Sequence, residues 1–384
     1  MSEWKEVLLK NVLGDKGYIR GPFGSSLKRG EMQTCGIPVY EQKNAIYSDR
    51  TFRFFIGEQK FKELSRFQVR TNDLIISCSG TVGKISIIKD EDPKGIISQA
   101  LLILRPDTLK INLLYLYYFL SSKQGFELLT QVSHGSVQIN IAERKVVQSI
   151  PLLLPPLAEQ KAIADVLSSL NNKIDLLHRQ NKTLEAMAEA LFRQWLVEEA
   201  DTIIVKLGDI IELFDNKRIP LSSTERDKKK SGTLYPYYGA AKIMDYINDY
   251  IFDGEFLLLG EDGTVQTNDG FPILQMATGK FWVNNHAHVI NAKEPYSNFM
   301  LYSILKMTSI SHIVTGAVQP KINQENLKSL EIEVPGAKKI KLFVHETNNW
   351  WEKILFNNKQ IMLLEKFRNT ILPKLLNGEM RVKL

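Results

Sequence analysis

The sequence predicts an α+β fold: two related mixed α/β domains separated by two long helices that form an antiparallel coiled coil. Three observations carry the prediction. The chain repeats itself at a distance of about 180 residues. Each copy is built of short β-type runs that end in Gly, Asn or Asp, with few helical stretches between them. Each copy is followed by a long stretch whose apolar positions step alternately by four and three.

The repeat shows at several points. Gly135-Ser136-Val137-Gln138 returns as Gly316-Ala317-Val318-Gln319, the apolar run Ile150 to Pro155 as Leu330 to Pro335, and Leu184-Glu185-Ala186-Met187 as Leu364-Glu365-Lys366-Phe367. A period this long is a whole domain plus a helix, not a solenoid unit. The chain divides into a first domain at 1–156, a helix at 157–200, a second domain at 201–336 and a second helix at 337–384.

In the first domain, Asp73 to Cys78 reads as a strand entering the turn Ser79-Gly80-Thr81-Val82-Gly83. Ile85 to Ile88, Ile96-Ile97 and Leu101 to Leu104 read as further strands, and Leu113 to Ser121 as a helix. The second domain follows the same order. Tyr235 to Gly239 stands where Ile37 to Glu41 stood, and Glu255 to Thr264 where Asp73 to Thr81 stood. Trp282 to Ile290 matches Ile97 to Leu104, and Ser297 to Met307 matches the helix. Identity between the halves is low, which implies one scaffold carrying two different surfaces.

The long helices are expected over roughly Leu157 to Val197 and Lys338 to Leu376. Pro155-Pro156 and Pro335-Gly336 punctuate their entries, and the second is expected to end or kink near Pro373 and stop by Asn377-Gly378. The first seam runs Ile163, Leu167, Leu170, Ile174, Leu177, Asn181, Leu184, Ala188, Leu191, Trp195. The repeat offset gives a second seam with its own Asn357. Antiparallel pairing puts Asn181 opposite Asn357, Leu177 opposite Ile361, Leu184 opposite Ile354 and Ala188 opposite Trp350. A buried Asn pair fixes register at some cost in stability.

Composition bounds the function. The chain has 384 residues, 44% of them hydrophobic, and a net charge of +6. That mildly basic balance is compatible with nucleic acid. No apolar run is long enough for a membrane span, so no membrane partner is expected. Met1 to Lys5 lacks signal-peptide character, and the two cysteines, Cys35 and Cys78, are too few for a disulfide framework. The expected compartment is cytoplasmic.

The first long helix opens on Leu157-Ala158-Glu159-Gln160-Lys161-Ala162-Ile163-Ala164 and closes on Ala190-Leu191-Phe192-Arg193-Gln194-Trp195. These runs resemble the start and the close of the central helical region in the specificity subunits of type I restriction-modification systems. Ile371 to Glu379, Gly21 to Lys28 and Lys206 to Ile210 fit in the same order, so the resemblance covers essentially the whole chain. It implies two target-recognition domains, each reading half of a bipartite site in double-stranded DNA. It also implies helices that act as a ruler and dock methyltransferase subunits, two of them, with restriction subunits joining that core. The second helix entry, Pro335-Gly336-Ala337-Lys338-Lys339, departs from the Pro-Leu-Ala-Glu-Gln pattern of the first.

No catalysis is expected of the chain itself. It lacks an Asn/Asp-Pro-Pro-Tyr site and a Gly-rich cofactor loop, and Gly80-Thr81-Val82-Gly83-Lys84 has the wrong spacing for a phosphate loop. Asp49 with Glu58-Gln59-Lys60 mimics a nuclease pattern common by chance. His286 and His288 flank Ala287 without visible further ligands, so no metal and no cofactor are expected. Phosphate contacts position a protein on DNA and base-edge contacts specify sequence. Lys28, Arg29, Lys84, Lys242 and Lys321 are phosphate-type candidates. Candidate readers in the first domain are Ser25, Ser26, Gln42, Asn44, Ser79, Thr81, Gln99 and Gln138. In the second they are Tyr238, Asp262, Thr264, Asn285, His286 and Gln319. Amides suit adenine, and Asp suits the cytosine amino group. The bland reading of each is a polar turn residue satisfying its own backbone. The alternative function is a non-enzymatic adaptor tethering two protein partners.

Overall fold

The computed structural model describes residues 4–23, 27–131, 140–198, 202–316 and 318–383. The chain forms two compact units: Met1–Ile174 together with Leu363–Leu384, and Asp175–Met362.

In the first unit, strands Lys5–Leu8 and Pro151–Leu154 pair antiparallel, which ties the start of the module to its end. The main sheet has the antiparallel order Leu13–Arg20, Leu101–Pro106, Leu74–Ser77, Ile85–Ile87. Its apolar runs are continuous because both faces are covered. Tyr18, Leu74, Ile76, Leu102 and Leu104 pack toward Tyr115, Leu116 and Phe119 of the helix Leu113–Ser121. The alternate residues Ile19, Ile75 and Ile103 pack with Tyr40, Ile88 and Ile97. Asn112 caps that helix, its Oδ1 accepting from the Tyr115 backbone N–H at 3.0 Å. A smaller sheet joins Phe55–Ile56, Ile37–Tyr40 and Ile96–Ile97, with Val39 parallel to Ile96.

The second unit repeats the scheme. Ile203–Lys206 pairs with Glu331–Val334 as the closing ribbon. Tyr237 and Tyr238 run parallel to Trp282 and Val283, as Val39 and Tyr40 run beside Ile96 and Ile97. Here, however, one sheet of six strands replaces two, in the order Ile211–Leu213, Ala287–Ala292, Phe252–Gly260, Leu274–Val283, Tyr235–Tyr238, Ile243–Ile247. The cause is the length of Leu274–Val283, ten residues that pair with Phe252–Gly260 along one edge and reach Tyr237 and Tyr238 on the other. In the first unit the same path is interrupted between Ile87 and Ile96 by the turn that contains Pro93.

The long helices span Leu157–Glu198 and Ala337–Leu376. The second continues through Pro373 to Leu376 and gives way to a turn at Asn377 and Gly378, whose φ is +79°. Proline is tolerated there because the carbonyl it leaves unpaired belongs to exposed Asn369.

Within the second unit the two helices run antiparallel. Asn181 meets Asn357 and Asn358, and fourteen residues further on Trp195 meets Phe343, fourteen residues before Asn357, with ring centroids 5.9 Å apart. Asn357 Nδ2 donates to Asn181 Oδ1 at 2.8 Å, and Asn181 Nδ2 donates to Asn358 Oδ1 at 2.7 Å. The seams also enter the domain cores. Ala188, Phe192, Phe343 and Ile354 share one cluster with Leu257, Phe299 and Leu330. In the first unit Ile163 and Leu167 share another with Ile371, Leu375 and Leu376, and with the sheet. Each seam therefore packs on the opposite helix and on a module at once.

In the first unit Glu159, in the first helical turn, is 3% exposed. Its carboxylate accepts two hydrogen bonds from Arg381 and one from Trp4 Nε1, and the Arg381 guanidinium lies 5.2 Å from the centre of the Trp4 ring. This clasp fastens the segments around Trp4 and Arg381 to the start of one helix.

Candidate nucleic-acid interface

In the first unit the sheet ends converge on a set of loops. Leu101 opposes Ser77 and Leu102 opposes Arg20, so the turn Ser79 to Gly83, the loop Ser98 to Ala100 and the segment after Arg20 leave from one end of the sheet. The turn is organised from within: Ser77 Oγ donates to the Thr81 carbonyl at 2.6 Å and accepts from the Lys84 N–H at 3.0 Å. Gly80 and Gly83 take φ of +60° and +77°, where a side chain would be strained. Thr81, Lys84 and Gln99 are left exposed. Gln42 reaches the same end and donates through Nε2 to both oxygens of Ser79. Gln42, Ser79, Lys43, Arg53 and Ser98 line an open hollow of about 520 Å³.

Asn44 sits differently. It is 0% exposed, accepts from the Glu41 N–H, and donates to the carbonyls of Asp49 at 2.8 Å and Thr51 at 3.2 Å. Its polar atoms are all engaged, so it holds a turn and offers nothing to a base. Lys28 and Arg29 are exposed around a short 3-10 turn. Ser25, Ser26 and Gln138 lie outside the described residues.

In the second unit three loops are laced together. Glu261 N–H donates to the His286 carbonyl at 2.8 Å, Gly263 N–H to Pro320 at 2.9 Å, and Ile322 N–H to Glu261 at 2.8 Å. Asp262 forms a β-bridge with Lys321, and its carboxylate is hydrogen bonded to His286 Nδ1. Thr264, Asn285, Gln319 and Lys321 are exposed around this pair. Lys321 Nζ lies 3.4 Å from Glu261 Oε1. Lys242 is exposed at a separate turn, where its carbonyl accepts from Gly239. Tyr238 is 9% exposed and packs edge-on against Phe281 at 5.6 Å, and burial pushes its hydroxyl up to about 12. The residue counted as a reader by its place in the repeat belongs to the core.

Beneath the laced loops lies a network that sequence reading missed. His288 is 0% exposed; its Nδ1 is 2.6 Å from Asp215 Oδ2 and its Nε2 is 2.9 Å from the Ile322 carbonyl. Asp215 also accepts from the Val289 N–H at 2.9 Å and from Gln324 Nε2 at 2.8 Å. Burial pushes the Asp215 carboxyl up, but the His288 contact, the Val289 hydrogen bond and the Arg218 charge outweigh it, and its pKa falls below the ordinary value. Asp215, Glu261 and His288 are donors of metal-ligand type within 4.8 Å of one another. Arg218 already stands among them, Nη1 at 2.5 Å from Glu261 and Nη2 at 3.5 Å from Asp215, and supplies the compensating positive charge. The arrangement is a complete hydrogen-bonded support for the three loops. His286 and His288, adjacent in the sequence pattern, serve separate layers: one at the surface with Asp262, one in the base with Asp215.

The model of the type I restriction modification DNA specificity domain matches this chain twice, over residues 1–186 and 200–346. The MjaIX specificity subunit of a type I restriction enzyme from Methanocaldococcus jannaschii is 26% identical, over 99% of this chain and 94% of that one. A putative type I restriction enzyme specificity subunit from Haemophilus influenzae, S.HindORF215P, is 35% identical over 144 residues, which are 38% of this chain and 36% of that one. Among solved structures, the type I restriction-modification S subunit from M. genitalium shares the fold, with a TM-score of 0.56 and 17% identity over 97% of this chain and 96% of that one.

Proposed function

Since the chain belongs to the type I restriction-modification DNA specificity family, we propose that each of its modules reads one half of a bipartite site in double-stranded DNA. The chain is the DNA-recognition subunit of such a system and has no catalysis of its own. On this reading the exposed Gln42–Ser79–Thr81–Gln99 surface faces one half-site, and the Asp262–His286–Gln319 surface the other. Module boundaries fall near 156 and 201, and near 336.

The observation that carries the reading is the repetition itself. Two units share one strand-pairing scheme, down to the parallel step at Val39 and Tyr237. They differ in the side chains their loops present. A scaffold held constant under two different polar surfaces is what two different recognition tasks require.

The helices are the docking site for methyltransferase subunits, two per chain, and restriction subunits join through that core. Large apolar side chains left open to solvent support this: Leu176, Met187, Phe356 and Met362 in the helical part of the second unit, and Leu363 and Phe367 in that of the first. No helix among the described residues is long and apolar enough to cross a membrane.

The test is co-expression with a type I methyltransferase subunit, followed by mapping of methylated adenines. One bipartite motif with a fixed gap is the expected result, and Gln319→Ala relaxes one half of it only. An adaptor would give a stable protein complex and no motif, and its partners would show no salt-dependent, sequence-selective DNA binding.

A further inference from the structure

Along the edge strand Leu13–Arg20 of the first unit runs a cleft whose lining, among the described residues, includes none of the sequence-derived candidates. It consists of two adjoining hollows, of about 340 and about 740 Å³, that share Tyr18, Arg66 and Arg144 as walls. Arg20 lines the first hollow, Lys16 and Arg70 the second. Asp15 and Glu143 are the carboxylates in the lining beside these five cations. No ion pair formed among the described residues uses Lys16, Arg20, Arg66, Arg70 or Arg144. Arg105, a sixth cation in the lining of the second hollow, is by contrast held by Asp73 at 2.7 Å. Arginines gathered with no carboxylate in ion-pair contact repel one another, and their forks suit the binding of a phosphate.

The floor of the cleft has a defined geometry. The Arg144 guanidinium lies 5.3 Å from the centre of the Tyr18 ring, which orients its fork. Tyr18 is 7% exposed, and burial pushes its hydroxyl pKa up against the nearby charges of Arg20 and Arg144. The guanidinium groups of Arg20, Arg66 and Arg144 gathered around Tyr18 are a donor set that suits a tetrahedral oxyanion.

We propose that this cleft seats backbone phosphates of the duplex read by the first module, with Arg66, Arg144 and Arg20 as the anchoring side chains. The inference rests on the DNA-recognition reading above. Position favours DNA over a free anion or an acidic protein. Arg20 ends its strand at the same end of the sheet as the Ser79 to Gly83 turn and the Ser98 to Ala100 loop. Neither hollow is an enclosed cavity. Contacts to phosphate here would set the register for base contacts at those loops.

The experiment compares the parent, Arg66→Gln/Arg144→Gln and the control Lys110→Gln, each assembled with the methyltransferase subunit. Both arginines are exposed, so the double variant is expected to keep the parent's melting temperature. Affinity for a cognate duplex and for a scrambled duplex is measured across salt concentrations. Each phosphate contact carries a slope of about 0.9 in log K against log salt, so the double variant should lose about two units of slope and weaken on both duplexes by one factor. The cognate-to-scrambled ratio and the control should not change. An unchanged slope, with the parent still binding selectively, overturns the cleft assignment and leaves the recognition reading intact. A free-anion pocket would show that unchanged slope, and inorganic phosphate would raise the melting temperature of the parent alone. Loss of the methyltransferase subunit from the variant, with DNA binding intact, would assign the cleft to a protein partner instead. Absence of selective binding by the parent would remove the recognition reading and this inference with it.

Discussion

The Asn181–Asn357 contact predicts an unequal response to removing its two members. Asn357 is 0% exposed, and its Oδ1 has no hydrogen-bond partner among the described residues, while its Nδ2 donates to Asn181. Replacing Asn357 with leucine strands Asn181 Oδ1 but also removes an oxygen that was already unpaired. The two effects largely cancel, and a change of about 1 kcal/mol or less is expected. Replacing Asn181 with leucine leaves Asn357 Nδ2 only a 3.5 Å contact to Gln180 Oε1 and keeps the orphan oxygen, at about 1–3 kcal/mol. Replacing both removes both buried amides and places leucines in an apolar seam, and the Asn358 oxygen that Asn181 served is exposed, so the double variant is expected to be at least as stable as the parent. The assay is thermal and urea unfolding followed by tryptophan fluorescence. Four of the five tryptophans, Trp195, Trp282, Trp350 and Trp351, lie in this unit. For a unit of this size 1 kcal/mol corresponds to about 2–4 °C. Additive destabilisation in the double variant, or a larger loss for Asn357→Leu than for Asn181→Leu, would refute the reasoning.

Three other outcomes follow from the buried contacts. Asp215→Asn should destabilise the second unit by about 3–5 kcal/mol, because it breaks a buried pair with Arg218 and His288. In the parent, the stabilisation from Asp215 is fully present above its ordinary value of 3.8 and is lost as pH falls through its lower folded value; acid titration of the variant should lack that fall. Glu159→Gln should cost about 1–2 kcal/mol, a figure reduced because Arg381 is 42% exposed, and hydrogen exchange near Met380 should quicken. Gly21→Ala would place a Cβ 1.9 Å from the Ser98 carbonyl oxygen, so the Ser98 to Ala100 loop must shift. The expected cost is about 1–3 kcal/mol, read as a lower melting temperature of the first unit and relaxed recognition at one half-site.

Much of the architecture was legible because it is written in local pattern. The helix limits follow from Pro155-Pro156 and Pro335-Gly336 against a mostly apolar periodicity, and the observed starts, Leu157 and Ala337, lie within a residue of the expected ones. The equivalence of Ile37 to Tyr40 with Tyr235 to Tyr238 was readable from the shared proline and the order of the blocks. What escaped needs distant partners. Asp215 and His288 are 73 positions apart, and neither has a local pattern that names the other. Tyr18, Arg66 and Arg144 come from three separate elements, so no run of basic residues marked their cleft, whereas the visible run Lys228-Lys229-Lys230 is in part tied up with Asp227, Asp245 and Asp249. Asn44 and Tyr238 were chosen by residue type and repeat position, and burial decided otherwise. The merging of two sheets into one in the second unit turned on strand length, which repeat alignment does not weigh.

The first unit is discontinuous, and that sets an order on its birth. Ile371, Leu375 and Leu376 complete the core around Leu9, Leu152 and Ile163, yet they follow the whole of Asp175–Met362 in the chain. On a ribosome adding about 5–20 residues per second, the first module waits on the order of 10–40 s for the side chains that close it. The second unit is complete in sequence by Met362 and can close before them. The module made first is therefore the one finished last, and through that interval it is the half of the nascent chain most in need of shielding from aggregation.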